Sequence, residues 1–244
     1  HLAEALRDAE RAMQERNAQL ERLSGMRRDF LMVALHDVSG PIGAVAVLLQ
    51  NLRDGLCGPL ADPQRDQIGR ALKKLDGLDH LVRDLRILGE LDTTDLRAHS
   101  TEISLAFLLA DVTDENSELA AEKGVTLETE TTGSAGMVFG VPRLLREAIA
   151  NYVTNAIKYT PRGGRITARI CAGHGVHRLE VSDTGFGIAP EDVERLFGEF
   201  VRVGRHHPEV KRVQGTGLGL SIVRRIAEAH AGNVGVRSTP DRGS

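Results

Sequence analysis

Apolar seams run through the first 90 residues, and their spacing constrains the fold more than any other feature. The clearest is Leu31, Leu35, Val38, Ile42, Val45, Leu49, Leu52 and Leu56, in alternating steps of four and three. Such a series lays one apolar stripe along a helix. A second seam, Ile68, Ala71, Leu75, Leu78, Val82 and Leu85, ends before Gly89. Between the two, residues 57–63 (CGPLADP) put Gly and Pro at helix-ending positions. The spacing predicts a helical hairpin with an apolar stripe on each arm. One hairpin leaves both stripes half covered, so a second copy is expected to complete a homodimeric four-helix bundle.

An earlier series, Leu2, Leu6, Ala9, Met13, Leu20, Leu23 and Phe30, has coiled-coil steps if Arg16 and Arg27 occupy two seam positions. It is offset by one residue from the seam that starts at Leu31, so the register must be disturbed near residues 26–31. This predicts an input helix joined to a separate bundle. Beyond Thr94 the pattern changes to short alternating runs at 125–130, 165–171 and 178–182, interleaved with helical stretches. Residues 172–175 (AGHG) look like a hairpin turn between two of them. The fold expected is multidomain: a helical region at 1–28, a hairpin at 29–94 and an α+β domain at 95–244.

Acidic residues number 34 and basic residues 31, a net charge of −3. That balance disfavours nucleic acid or an anionic membrane as the main partner. The two cysteines, Cys57 and Cys171, lack metal-ligand spacing and fit a reducing cytoplasm. Read run by run, no apolar stretch approaches the ~18–20 residues of a spanning helix. A chain opening on His1 is expected to be a piece of a longer one, with any sensor or membrane segment outside it.

Glu147, Asn151, Asn155 and Lys158 stand at i, i+4, i+8 and i+11 of a predicted helix, on one face. Amide oxygens suit a hydrated Mg²⁺ and a lysine suits phosphate. Taken alone, the same face could be the polar side of an amphipathic helix. Next comes Asp183-Thr184-Gly185-Phe186-Gly187-Ile188, directly after a strand. Its glycines permit close backbone approach, and its carboxylate can accept from an exocyclic amine. Then Gly215-Thr216-Gly217-Leu218-Gly219-Leu220 opens a helix, whose free N–H groups favour phosphate. Each element is weak alone; the three in one order within one domain are a strong signal.

With these residues in view, the chain resembles the sensor histidine kinases of two-component signalling. NYVTNAIKYTP resembles their N box, DTGFGI their first glycine box, LFGEFVR their phenylalanine box and GTGLGLSIVRRIAEAHAG their second glycine box. HDVSGP resembles the box that carries the phosphoaccepting histidine, and the likeness runs from about residue 24 to the end. The resemblance implies a dimerisation and histidine-phosphotransfer domain at 29–94. It implies a Bergerat-type ATP domain at 95–244, an α/β sandwich with a mixed sheet backed by helices and a lid at about 190–215. It carries Mg²⁺ binding onto Asn155 with Asn151 close by, and adenine recognition onto Asp183. ATP contacts fall on Lys158, Tyr159, Gly185, Gly187, Ile188, Arg202, Gly215, Thr216, Gly217, Leu218 and Gly219. In gyrase-like and chaperone relatives the position of Asn151 is a water-activating glutamate; an amide cannot act as that base.

His36 follows seam residue Leu35 and so flanks the stripe, open to another domain. Asp37 is suited to take a proton from one ring nitrogen and strengthen the other as nucleophile. Pro41 is expected to kink the helix. His206 and His207, in the lid region, are expected to be solvated.

The chain departs from the family at three places. The resemblance implies one more strand after DRGS. Gly40 stands where many relatives carry the Thr or Asn used to dephosphorylate the partner, and Ser39 replaces a commonly basic residue. Glycine at 40 could also relieve crowding beside Pro41 or let the ATP domain approach closely. The expected function is autophosphorylation of His36 from Mg-ATP, then transfer to an aspartate of a response-regulator receiver domain. The competing readings are a catalytically weak ATP-binding scaffold and a gyrase-class ATPase.

Overall fold

The computed structural model describes residues 2–91, 96–132, 137–173, 176–204, 207–213 and 215–244. The chain divides into two compact units, His1–Gly89 and Glu90–Ser244.

The first unit is the helical hairpin. Helix α1 spans Leu2–Arg53 and α2 spans Asp62–Leu91. The arms run antiparallel: a Cβ on Gly89 would come within 2.9 Å of Met32 Sδ, near the open end of the hairpin. Helix α1 is assigned without interruption from 2 to 53, across both the expected junction and Pro41. Ser39 Oγ donates to the Leu35 carbonyl at 2.8 Å, a back-bond common where a helix must tolerate local adjustment. Most side chains of the first seam lie outside the described residues; Met13 and Arg16 are exposed.

The seam from Leu31 to Leu56 is split. Leu35, Ile42, Leu49 and Leu52 are half-buried, whereas Val38, Val45 and Leu56 are exposed. On α2, Val82, Ile87 and Leu88 are buried but Leu78 is exposed. Within one chain Val38, Val45 and Leu56 on one arm and Leu78 on the other are left uncovered. A groove lined by Leu52, Leu60, Pro63 and Ile68 also stays open at the loop end.

One expectation needs correction. Met32–Arg53 is long and apolar enough, by length and composition, to cross a membrane. A search for unbroken runs missed it because His36, Asp37, Gln50 and Asn51 interrupt a segment that is apolar on average. Length and composition are weak grounds for a span, and the segment carries the hairpin's own amphipathic seam.

The second unit is α+β and opens with the one-turn helix α3 (Leu96–His99). A two-stranded antiparallel sheet pairs β1 (Thr101–Ser104) with β3 (Met137–Gly140). A three-stranded sheet has the order β2-β4-β5, from β2 (Thr126–Thr132), β4 (Arg165–Gly173) and β5 (Val176–Asp183). Strand β2 is parallel to β4, and β4 is antiparallel to β5. The sheet is mixed, as the resemblance implied. Ala172 and Gly173 still belong to β4, paired with His177 and Val176, so the expected turn does not begin at 172; residues 174–175 lie outside the described residues.

Helices α4 (Leu105–Lys123) and α5 (Pro142–Tyr159) contribute to one core with the larger sheet. Ser104 caps α4 by accepting from the Phe107 N–H, and Gly124 ends it at φ 72°. Strand β4 buries Ile166, Ala168 and Ile170 at period two. Arg146 on α5 pins α4 through Asp111 at 3.1 Å and through Glu115. Ile149, Val153, Ala156 and Ile157 make the face of α5 that is buried in the core, which turns Glu147, Asn151, Asn155 and Lys158 the other way. Helix α8 (Gly219–Ala229) packs on α5. Two short helices, α6 (Pro190–Val193) and α7 (Pro208–Arg212), lie in the expected lid region.

Candidate nucleotide site

Two close backbone approaches assemble this site on α5. At Gly219, the first residue of α8, an added Cβ would lie 2.4 Å from Asn151 Oδ1 and 3.9 Å from Asn155 Nδ2. Any side chain there would displace the amides. Asn151 is oriented from behind, its Nδ2 donating to the Glu147 carbonyl at 3.1 Å. Its oxygen is therefore free to face the start of α8. At Gly185 a Cβ would lie 2.5 Å from the Tyr159 carbonyl and 2.6 Å from Asp183 Oδ1. The Phe186 N–H donates to that same carbonyl at 3.3 Å. The first glycine loop is thus drawn against the C-terminus of α5.

The sequence-level candidates fall into groups. Asn151, Asn155 and Gly219 converge, and so do Tyr159, Asp183 and Gly185. Gly217 lies against the backbone of Phe200 and Val201, and the Leu218 N–H donates to Thr216 Oγ1 at 3.2 Å. Arg202 donates to the Val213 carbonyl. Burial pushes the Tyr159 phenol up, and the nearby Arg202 charge opposes it. Lys158 is exposed and Gly215 is open to solvent. His36 and Asp37 belong to the other unit and are both exposed; His36 Nδ1 lies 3.6 Å from Asp37 Oδ1. That separation is longer than a hydrogen bond and short enough for an ion pair.

Three features of the site had no sequence signal. Lys123, in the last turn of α4, donates to the carbonyls of Ile157 and Lys158, both at 2.6 Å. It neutralises the negative end of α5 just where that helix meets the glycine loop. Burial pulls its pKa down, and Glu209 in the lid region opposes the shift.

The second is the terminal segment. The Ile188 N–H donates to Ser238 Oγ at 2.8 Å and the Asp241 N–H to the Phe186 carbonyl at 2.8 Å. Asp183 and Ser244 exchange backbone hydrogen bonds. The third is His207, which does not project into solvent: its ring packs on Phe186 with centroids 4.4 Å apart. With Val210 it closes over a cavity of about 110 Å³ beside Gly187 and Asp241. His206 lies outside the described residues.

A family profile described as "Histidine kinase-, DNA gyrase B-, and HSP90-like ATPase" matches residues 140–244. The adaptive-response sensory kinase SasA of Rippkaea orientalis is 31% identical over 226 residues, covering 88% of this chain and 55% of the relative. The phosphate regulon sensor protein PhoR of Pseudomonas aeruginosa is 30% identical, covering 92% of this chain and 50% of the relative. Full-length ShkA, solved in complex with AMPPNP, superposes with a TM-score of 0.69 at 27% identity, over 88% of this chain and 44% of that one. Over most of its own length the chain is similar to sensor histidine kinases. It spans about half the length of the curated relatives named here.

The match to the ATPase profile lies within the second unit, and the α5–α8 cradle can be tested against a metal-bound triphosphate. Neutral amide oxygens beside the free N–H groups of a helix start fit a cation that keeps most of its water. Among the described residues no cluster of three His, Cys, Asp or Glu could hold a metal unaided. A cation here therefore depends on the phosphates for much of its coordination.

Burial raises the Asp183 pKa, opposed by N–H donation from Gly185 and Ser244. A carboxyl whose folded pKa is raised costs stability once ionised, so that cost grows as pH rises from the usual carboxylate range through the folded value. Asp183→Asn is expected to match or exceed the wild type in thermal stability at neutral pH. The difference should shrink as pH falls through that window. Melting curves across pH check this; a neutral-pH loss that persists in acid contradicts it.

Proposed function

We propose that this chain is the catalytic core of a sensor kinase that phosphorylates its own His36 from Mg-ATP and passes the phosphoryl group to an aspartate of a response-regulator receiver domain. The observation that carries the reading is the convergence of Asn151 and Asn155 on Gly219. That cradle sets the Asn151 oxygen and the Asn155 amide beside a helix start and lacks a base at position 151. A glutamate there would deprotonate water; Asn151 holds the triphosphate without spending it on hydrolysis. Bound Mg²⁺ supplies charge neutralisation on the phosphate oxygens.

The protein's own residues divide the remaining work. Asn155, with Asn151 beside it, holds the metal-triphosphate. Lys158, exposed on the same face, contributes charge to the phosphates. Asp183 accepts from the exocyclic amine of adenine, with the loop at Gly185, Gly187 and Ile188 shaping that pocket. Tyr159, Arg202 and the segment from Gly215 to Gly219 line the rest.

His36 Nε2 attacks the γ-phosphorus with its lone pair; the P–N bond forms as the bond to the β,γ-bridging oxygen breaks, and ADP leaves. Asp37 stands beside Nδ1, where it favours a proton on that nitrogen and keeps Nε2 free. The exposed seam residues Val38, Val45 and Leu78 support a homodimer, since a second hairpin would cover them. On this reading the site works on the cytoplasmic side, where ATP is supplied.

The direct test separates acceptor from nucleotide site. His36→Gln should abolish incorporation from γ-labelled ATP while leaving Mg-ATP affinity within about twofold, a difference of only a few tenths of a kcal/mol. Asn155→Ala should weaken Mg-ATP binding by about tenfold or more, through loss of an oxygen ligand. Label release as free phosphate by the wild type would favour an ATPase. Tight binding without label or hydrolysis would favour a scaffold.

Gly40 bears on the reverse reaction. Beyond its chain neighbours and its own helix backbone, a Cβ there would meet nothing within 4 Å, so position 40 has open space for a side chain. Without a side chain it cannot position a hydrolytic water one helical turn from His36. The wild type should therefore barely accelerate decay of a phosphorylated regulator in the presence of ADP, and Gly40→Thr should accelerate it. Rapid decay with the wild type would contradict the argument.

A further inference from the structure

Helix α5 begins without a side-chain cap of its own. Its N-cap is Val141, Pro142 follows, and the third helical position is the buried Leu144. In a capping box a Glu or Gln at that third position would reach back to the N-cap N–H. Here the partner comes from 89 residues away: the Val141 N–H donates to His230 Nε2 at 3.0 Å. His230 ends α8, and its Nδ1 lies 2.8 Å from the Ile226 carbonyl one turn back. A carbonyl only accepts, so Nδ1 carries the proton and Nε2 is bare. The two contacts together specify the neutral Nδ1–H tautomer.

The helices are therefore tied at two places. Gly219 opens α8 beside Asn151, and His230 closes it beside Val141. Gly219 to His230 spans eleven residues and Val141 to Asn151 ten. At a rise of about 1.5 Å per residue these are matched lengths of about 16 and 15 Å on antiparallel helices. A slip of one residue along the pair would move the glycine-box N–H groups by about 1.5 Å relative to the amides, enough to break a hydrogen bond. Gly140 keeps the latch possible. A Cβ there would lie 2.8 Å from the His230 ring and 2.9 Å from Leu145 Cδ1.

We propose that His230 is a positioning residue that locks the register of α8 on α5, and so places the glycine-box N–H groups against Asn151 and Asn155. The inference rests on the nucleotide reading above for its consequence, but the latch itself is independent of any ligand.

The experiment uses the full chain. Nitrogen-15 NMR of labelled histidine should show His230 with Nδ1 protonated and Nε2 bare, without nucleotide. An Nε2–H tautomer would overturn the latch.

Calorimetric titration with Mg-ATP then compares three variants of confirmed folding. His230→Leu keeps bulk but no acceptor and should raise Kd about tenfold, the scale of a lost hydrogen bond with its donor left unpaired. His230→Gln keeps an acceptor oxygen and should stay within about threefold of wild type. Gly140→Ala, which crowds the ring, should weaken binding in the same direction. Wild-type affinity in His230→Leu, or equal loss in His230→Gln, would refute a positioning role. If the wild type shows the Nδ1–H tautomer yet binds no Mg-ATP, the nucleotide reading falls and the latch stands.

Discussion

The second unit depends on how closely backbone can approach α5. Two segments distant in sequence, the loop after β5 and the start of α8, press against one face of that helix at distances a side chain would forbid. Gly185 sits against the Tyr159 carbonyl, and Gly219 against the Asn151 amide. The opposite face of α5 is anchored by Ile149, Val153, Ala156 and Ile157, all buried in the core. A rigid apolar face thus holds a polar face still, and the glycines admit backbone donors to it. Lys123 neutralises one end of the helix and His230 satisfies the other.

The first unit meets a different constraint. Its hairpin has few buried side chains, and part of its seam stays exposed in the single chain. A long amphipathic hairpin with uncovered apolar residues is incomplete as a folding unit, which is the physical ground for pairing two copies. His36 lies off that seam and is exposed, so covering the stripe need not cover the acceptor.

The sequence was most legible where periodicity or glycine spacing carries the signal. The hairpin seams, the polar face of α5 and the alternation in β4 are all regular over enough residues to read. Strands β1 and β3 are four residues each, too short for alternation to register. Lys123 and His230 act on backbone atoms tens of residues away, and nothing local distinguishes them from an ordinary surface lysine or a helix-end histidine. His207 was expected in solvent because it falls in the lid region; its stacking on Phe186 is a tertiary fact. The apolar average of Met32–Arg53 was missed because polar residues interrupt every short run within it.

The central claim is that an ATP cradle in one unit serves a histidine in the other. Incubating the full chain with Mg-ATP, quenching at alkaline pH and locating the modification by mass spectrometry tests it most directly. The account predicts one phosphoramidate, stable to base and labile to acid, on His36. An unmodified chain that nonetheless binds Mg-ATP, or phosphate on any other residue, would contradict it.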